Sequence, residues 1–563
     1  MLHDLSGVGL LATSLALWKL YNIYIYRNRL PLYRDVIIAV DIGSSSIKCA
    51  AFHKYKEKYQ LIPNSEIKET FPVVSNGVAN AQVISTKTEF ILSQCISLLK
   101  YKVANIVALG ISTFAMSLVG VDKFGTPVTD VYTYAGKVGE RNGELEQQSE
   151  LFSLQHYKET GTVLHHPCYA STQLKYRASS VEVYKWQTLS SFLIGSWTGQ
   201  GYNCPVSLSE ASWMGLLNIH TMKWNPSTLA YIGIDASRLP SLSIDNSPLR
   251  FSEEWISSHP LWSVLKDTRI YLGIADGMAA SLASKCDTAS DKQSVYATGS
   301  VAITIGTSAA ARTVVSASES VLSACEPNAG LWVYRMSSQS VLIGGALTDG
   351  GSLVDWLSSY VGLNRIQTLT EELESQYLAN KRCGRPGWSG LLDSAGYPMV
   401  LPFWSGERST GWREDARGVL YGLSHATTPA LMLLGLMTGI IVRLEEVVSR
   451  MRQVVNGIEC IVASGAVLER HGVWRQLLAD ICFLPVLTLR QKDGERTLCG
   501  VVEHIRQSTS SVDEFASNEC PPKSNWDFVN SETENTHTPE PFGNPQKQVV
   551  ERLKALYIQD IKS

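Results

Sequence analysis

The chain has 563 residues, too many for a single hydrophobic core, so two large domains are expected. Hydrophobic content of 45% and charged content of 18% are globular values, and a net charge of −3 gives no support for a general nucleic-acid surface. Eleven cysteines, with no CxxC pair and no His/Cys cluster, fit a reducing compartment and argue against both zinc and a disulfide scaffold.

The N-terminus departs from that pattern. Gly7–Trp18 is apolar, Lys19 interrupts it, Leu20–Tyr26 continues it, and Arg27 and Arg29 follow. The run is long enough to span a bilayer with its arginines on the cytoplasmic side. Lys19, Asn22 and several tyrosines lower its hydrophobicity, and no small-residue cleavage site follows. Three readings stand for residues 1–34: a membrane anchor, a helix on the protein or membrane surface, and an extension without function.

From Val36 short apolar runs alternate with helical stretches, the pattern of an α/β fold. Two segments repeat one design: VIIAVDIGSSSIKCAAF (Val36–Phe52) and VAITIGTSAAARTVV (Val301–Val315). Each is an apolar run, a tight turn of glycine and hydroxyl residues (Ile42–Ser45, Ile305–Ser308), and a second apolar run. Both read as β-hairpins, and such turns cradle phosphate oxygens with backbone N–H groups. Either hairpin alone is equally readable as a core turn. The pair suggests a duplicated fold that holds one nucleotide between its halves.

Between them, Asn105–Ile111 and Ser117–Asp122 read as strands, and Ile270–Gly273 as a strand leading into a helix of small residues, Ala275–Ala283. Polar Cys286–Gln293 marks the domain boundary, giving domains of residues 35–287 and 288–506. In the second domain Ser340–Gly345 is a strand, Gly350–Ser359 opens a helix, and Ala430–Val442 is a buried central helix too short to cross a membrane. Glu459–Ala463 is a strand that ends at Ser464-Gly465, with a helix from about His471 to Cys482. After Gln507 the composition turns rich in Ser, Asn, Glu and Pro, so 507–563 is read as a disordered tail with a short amphipathic helix at Val549–Ile561.

Several residues suit chemistry. Asp41 ends a buried strand before a glycine turn, where a carboxylate holds Mg2+ against phosphates or bonds its own turn. Asp276 stands at a strand's C-terminal end, where ligand crevices of α/β folds form. It reads equally as a helix N-cap or as an acceptor for a substrate hydroxyl's proton. Gly465-Ala466 after a strand lets a flat base approach the backbone or forms a tight strand–helix turn, and Gly350-Gly351 offers another close-approach surface. In PFWSGERSTGWREDARG (Pro402–Gly418), Glu407-Arg408 reads as an ion pair that shapes a cleft or as a solvated loop pair. His165-His166 lacks a second ligand cluster, so sugar contact or plain structure is preferred over metal.

Taken in order, these pieces resemble the FGGY carbohydrate kinases, members of the actin/hexokinase/Hsp70-like ATPase fold, over about residues 36–506. The matching pieces are DIGSSSIK (Asp41–Lys48), GISTFAMSLVGVD (Gly110–Asp122), SLSEASWMGLLN (Ser207–Asn218), GIADGMAASL (Gly273–Leu282) and VAITIGTSAAAR (Val301–Arg312). GGALTDGGSLVDWL (Gly344–Leu357), PFWSGERSTGW (Pro402–Trp412) and SGAVLERHGVWRQLLAD (Ser464–Asp480) complete the set. The gluconokinase-type branch looks most similar, through GTVLHHPCY (Gly161–Tyr169), SEASWMGLLN, IADG and IGTSAAAR.

The resemblance implies a two-domain α/β fold of duplicated ribonuclease H-like domains around a cleft, and ATP-dependent phosphorylation of a primary hydroxyl. Gluconate is the first substrate expected, then xylulose or ribulose. It implies Asp276 as general base and Asp41 as the residue that orients Mg2+. Gly43, Ser44, Ser45, Lys48, Gly306, Thr307, Gly350, Gly351, Gly465 and Ala466 are then the ATP-binding set. Met116, Tyr134, His166, Asp276 and Gly277 are the substrate set. A cytoplasmic monomer or homodimer is expected, with possible membrane contact through residues 7–26. Departures are also present: after Tyr134-Ala135 the family's Asp-x-Arg is replaced by Gly136-Lys137-Val138, Ala466 replaces a glycine, and Thr438 a glutamate. They keep open a second reading, a catalytically weakened relative that binds nucleotide as a regulator or a membrane-tethered interaction protein.

Overall fold

Two glycine-turned hairpins organise the two halves of the chain. The computed structural model describes residues 33–55, 58–100, 102–135, 150–177, 182–290, 299–323, 330–488, 493–513, 535–537, 539 and 544–562. Strand β1 (Val36–Ile42) is buried at every position, as its unbroken apolar sequence requires of a strand covered on both faces. β2 (Ser46–Tyr55) returns antiparallel to it, with Lys48 opposite Asp41. β3 (Lys58–Leu61) and β4 (Ile67–Thr70) pair with the outer side of β2. On the other side of β1 lies β5 (Ile106–Thr113), in parallel, followed by β6 (Arg269–Ile270) and β7 (Ile274–Ala275).

The second half repeats the plan. β8 (Ser300–Ile305) and β9 (Ala309–Ser316) form the hairpin, and β10 (Trp332–Arg335) and β11 (Ser340–Leu347) extend it antiparallel in the order β9, β11, β10. β12 (Cys460–Ser464) and β13 (Val486–Thr488) lie parallel on the other side of β8. Each sheet has seven strands, with a hairpin strand at its centre flanked by one parallel and one antiparallel neighbour. That is the duplication the two sequence repeats imply.

Helices join the halves. α1 (Ala81–Leu99) is capped by the Asn80 side chain and packs on β2. α2 (Asp276–Ser290) leaves the first sheet, and α3 (Gly351–Val361) starts beside the second hairpin. α4 (Pro429–Val454) begins with Thr428 as cap and proline in its first turn, and is buried through the core of the second half. α5 (Gly472–Cys482) packs on α4, and α6 (Asp493–Asp513) crosses back onto the first sheet. There Val501 and Ile505 of α6 cover Gly110 of β5, where a Cβ would lie 2.7 Å from each.

Not every expected element keeps its bounds. The single strand at Ile270–Gly273 is two short strands, Arg269–Ile270 and Ile274–Ala275, and between them Gly273 lies so close to Ser190 that a Cβ would fall 2.3 Å from its side chain. The boundary placed at Cys286–Gln293 falls partly within α2, whose helical sequence continues to Ser290. The tail after Gln507 is not structureless where it is described. α6 continues to Asp513, β14 (Asn535–His537) adds to β13, and α7 (Asn544–Lys562) is a 19-residue helix with Val550, Leu553 and Tyr557 buried against Leu401, Phe403 and Val442. The apolar segment at residues 7–26 lies outside the described residues, and among those described no helix is long and apolar enough to cross a membrane.

Candidate active site

β7 delivers Asp276 to the start of α2, at the edge of a cavity of about 310 Å³. Both halves wall this cavity: Met116, Tyr134, Tyr169 and Trp213 from the first, Thr304, Arg312, Tyr334, Arg408 and Trp412 from the second. Among the described residues that line it, Asp276 is the one acid. Burial, and next the neighbouring charge of Asp41, push the Asp276 carboxyl up to about 6; the Gly277 amide, which donates to it at 2.7 Å, and Arg312 oppose the shift.

The support behind Asp276 comes from the SLSEASW segment. Ser207 donates its hydroxyl to the Gly273 carbonyl at 2.6 Å, and the Ala275 amide donates to Ser209 Oγ at 3.4 Å. Buried Glu210 accepts from Thr113 at 2.9 Å, from Thr188 at 2.7 Å and from Ser190. Burial raises its carboxyl, and these hydroxyls partly offset the rise. The resemblance pointed to this motif; its geometry explains it as the brace that fixes β7.

Asp41, at the end of β1, is buried. Its carboxylate accepts from Ser112 Oγ at 2.8 Å and faces Lys48 Nζ at 3.6 Å. Burial raises its carboxyl, while Lys48 and Ser112 hold it down. The two hairpins thus act alike: each outgoing strand sets a cation against a carboxylate, Lys48 against Asp41 and Arg312 against Asp276. Arg312 also donates to Thr304 Oγ1 at 3.2 Å, and its Nη1 lies 2.7 Å from where a Cβ on Gly277 would stand. Glycine at 277 is therefore what lets the guanidinium lie over the start of α2.

The predicted phosphate residues divide by their surroundings. A Cβ on Gly43 would meet only the Ser46 carbonyl at 3.5 Å, and one on Gly306 nothing nearer than the Ser308 carbonyl at 3.9 Å, so space is open over both turns. Thr307 and Ser45 are exposed, and the Ser44 hydroxyl makes no hydrogen bond among the described residues. Gly350 and Gly351 instead spend their amides on the second turn, donating to the Thr307 carbonyl at 2.9 Å and to the Gly306 carbonyl at 2.6 Å. Gly465 adopts φ +93°, and a Cβ there would lie 2.4 Å from the Ile305 carbonyl, so close approach of backbone to backbone accounts for it. Ala466 follows as the first residue of a short helix, Ala466–Arg470.

Of the predicted substrate residues, Met116, Tyr134, Asp276 and Gly277 line the cavity, and His166 does not. His166 is buried behind the wall, 2.8 Å from Cys168 Sγ and edge-on to Trp412; burial, and then the Arg408 charge, lower it to about 3, so it is neutral. Gly136, Lys137 and Val138 lie outside the described residues.

Sequence reasoning missed most of the wall. Trp213, Tyr334 and Trp332 form a stack, with centroids 4.0 and 4.6 Å apart, and Arg408 lies over the Tyr134 ring at 5.8 Å. Among the described residues, four buried donors in this wall have no acceptor: Nε of Arg312 and Arg408, and Nε1 of Trp213 and Trp412. Donors left unpaired inside a cleft fit a ligand rich in acceptor oxygens. The paired carboxylates Asp41 and Asp276, each raised in pKa, fit a divalent cation beside phosphate oxygens.

Comparison with known proteins agrees with this layout. Residues 36–282 match the model of the FGGY family of carbohydrate kinases, N-terminal domain, and residues 301–502 match that family's C-terminal domain. The gluconokinases of Bacillus licheniformis and Bacillus subtilis are each 23% identical, over 79% of this chain and 82% of their own. Among solved structures, a ligand-bound xylulose kinase from Lactobacillus acidophilus superposes with a TM-score of 0.72 at 21% identity, covering 93% of this chain and 97% of that one. A Plasmodium falciparum glycerol kinase with ADP gives 0.71 at 16% identity, over 95% and 99%. The chain belongs to the FGGY family of carbohydrate kinases and is a phosphotransferase with an alcohol group as acceptor.

Proposed function

We propose that this kinase transfers the terminal phosphoryl group of ATP to a primary hydroxyl of a small sugar or sugar acid, with the sugar acid gluconate the first substrate to try and the ketoses xylulose or ribulose next. The observation that carries this reading is a lone carboxylate, Asp276, facing a cavity that both halves wall and that is rich in unpaired donors. A neutral polyol offers as many donors as acceptors, whereas an aldonate adds a carboxylate that Arg408 and the tryptophan N–H groups suit. The similarity to two gluconokinases supports the same choice.

In this reading Asp276 accepts the proton of the attacking hydroxyl as the new bond forms, and the Gly277 amide and the Arg312 charge beside it favour its ionised form. The open turns at Gly43–Ser45 and Gly306–Thr307 hold the phosphates through backbone N–H groups, with Lys48 supplying positive charge. Asp41 would hold Mg2+, which together with ATP supplies the activated phosphoryl group and neutralises its charge. Gly350, Gly351 and Gly465 shape the second turn, and Ala466 borders the slot expected to take the base. Closure of the two halves aligns acceptor and donor and excludes water, which is most of what phosphoryl transfer asks of a protein.

The test is a coupled ATP-consumption assay with Mg2+ over aldonates, ketoses and polyols. Turnover is expected to be highest with an aldonate. Turnover with a polyol alone would refute the acid-sugar assignment, and ATP binding without any sugar-dependent turnover would favour the regulator reading.

A further inference from the structure

The loop at residues 405–412 has two faces. Its front carries Arg408 and Trp412 into the cavity wall. Its back carries Glu407, a buried carboxylate that accepts from the Gly411 amide at 3.1 Å, from Arg413 Nε at 2.7 Å and from Arg443 Nη2 at 2.9 Å. The Tyr557 hydroxyl also donates to Glu407. Tyr557 belongs to α7, beyond residue 502 where the match to the family model ends.

The contact is extensive. The Arg443 guanidinium stands 3.5 Å from the Tyr557 ring centre, and Arg443 donates to Thr410 Oγ1 at 2.8 Å. Tyr557 and Thr410 hydroxyls are 3.3 Å apart. One turn on, Asp560 accepts from Arg413 Nη2 at 2.9 Å, so α7 holds the loop's buried acid directly through Tyr557 and indirectly through Arg413. Val550 and Leu553 seat the helix on Leu401, Phe403 and Val442. The front of the loop is tied to β11, where the Ser409 amide donates to the Ala346 carbonyl at 3.0 Å and the Ala346 amide donates to Ser409 Oγ at 3.1 Å. The Arg408 and Trp412 side chains themselves make ring contacts, to Tyr134 and to His166, while Arg408 Nε and Trp412 Nε1 have no hydrogen-bond partner among the described residues. Trp412 is moreover held at φ +57°, a left-handed backbone that a bulky residue keeps only where its surroundings impose it.

We propose that α7 is a clamp on the sugar side of the cleft, and that Tyr557 and Asp560 are positioning residues which hold Arg408 and Trp412 in place through Glu407. This rests on reading the cavity as the sugar site. The hydroxyl of Tyr557 is the most informative atom, because phenylalanine keeps the ring over Arg443 and the helix packing, and removes only the bond to Glu407.

The experiment uses the full chain with Tyr557→Phe and Asp560→Asn, and reads amide hydrogen exchange of residues 403–413 alongside steady-state kinetics. Exchange in that segment is expected to speed up by roughly tenfold while exchange in β1 and β8 is unchanged, as for a local loosening. KM for the sugar acid is expected to rise about three- to tenfold, with kcat and KM for ATP within about twofold, as for loss of one buried hydrogen bond. Unaltered exchange in both variants overturns the clamp, whatever the chain proves to phosphorylate. Faster exchange accompanied by a rise in KM for ATP alone, or by a fall in kcat alone, overturns the positioning role. If the wild-type chain turns over no sugar, the functional reading fails while the exchange result still decides on the clamp.

Discussion

A base works only when ionised, and a carboxyl raised to about 6 is ionised at neutral pH yet basic enough to take a proton in a transition state. If Asp276 is that base, kcat/KM should be level above pH about 7 and fall about tenfold per pH unit as the pH drops through its pKa. The Arg312 charge lowers that pKa, so Arg312→Ala should move the acid limb to higher pH; a limb that stays put or moves lower would uncouple the two residues. Arg408→Ala should weaken an aldonate by roughly ten- to a hundredfold and a neutral ketose far less, read as the ratio of their kcat/KM values. The sequence exposes these residues unequally. Asp276 is visible as a candidate because a helix of small residues follows it directly, and the family resemblance sets its role apart from that of an ordinary helix cap. Arg312 sits in a run of alanines and reads equally well as a surface residue of a strand, because only the register of β9 turns it toward Asp276.

Elements separate glycines that leave space from glycines that fill it. Gly306 has no left-handed backbone and no atom within 3.9 Å of a would-be Cβ, so Gly306→Ala should leave the melting temperature within about 2 °C of wild type. If the turn receives phosphate, the same methyl should raise KM for ATP about tenfold or more, as lost close approach would. An unchanged KM would remove that turn from the ATP site. Gly351 contrasts: its Cβ would lie 2.7 Å from the Gly306 carbonyl, so alanine there should destabilise the fold first. The hairpins, the parallel strands β5 and β12 and the buried α4 were legible, because continuous apolar runs and glycine turns are local signals. The wall of the cleft was not. Tyr169, Trp213, Tyr334 and Trp412 come from separate segments, and nothing in any one of them tells a core aromatic from a cleft aromatic.

At the scale of the molecule, α2 and α6 carry the chain between halves and lie against each other. A Cβ on Gly500 would stand 1.8 Å from the Ala279 carbonyl, so Gly500→Val must push the helices apart, at a cost of about 3 kcal/mol or more by denaturant unfolding. A loss under about 1 kcal/mol would mean that the crossing is looser than described. Of the tail, the sequence reading found the terminal helix at Val549–Ile561 but not its start at Asn544, its docking or β14, for a related reason. Polar, proline-containing sequence around β14 and α7 lacks apolar periodicity until Val549, and its partners Leu401, Glu407 and Arg443 lie over a hundred residues earlier. Two lobes that repeat one hairpin plan, tied by crossing helices, bring the carboxylates of β1 and α2 together.

Asp276→Asn keeps the size of that side chain and removes its basicity, so it tests the whole arrangement at one atom. With the best aldonate at pH 8, kcat is expected to fall about a thousandfold while the dissociation constant of ATP, measured by calorimetry, stays within about threefold of wild type. Turnover by the asparagine variant within tenfold of wild type would contradict the account, and the acid that receives the proton would have to be sought elsewhere.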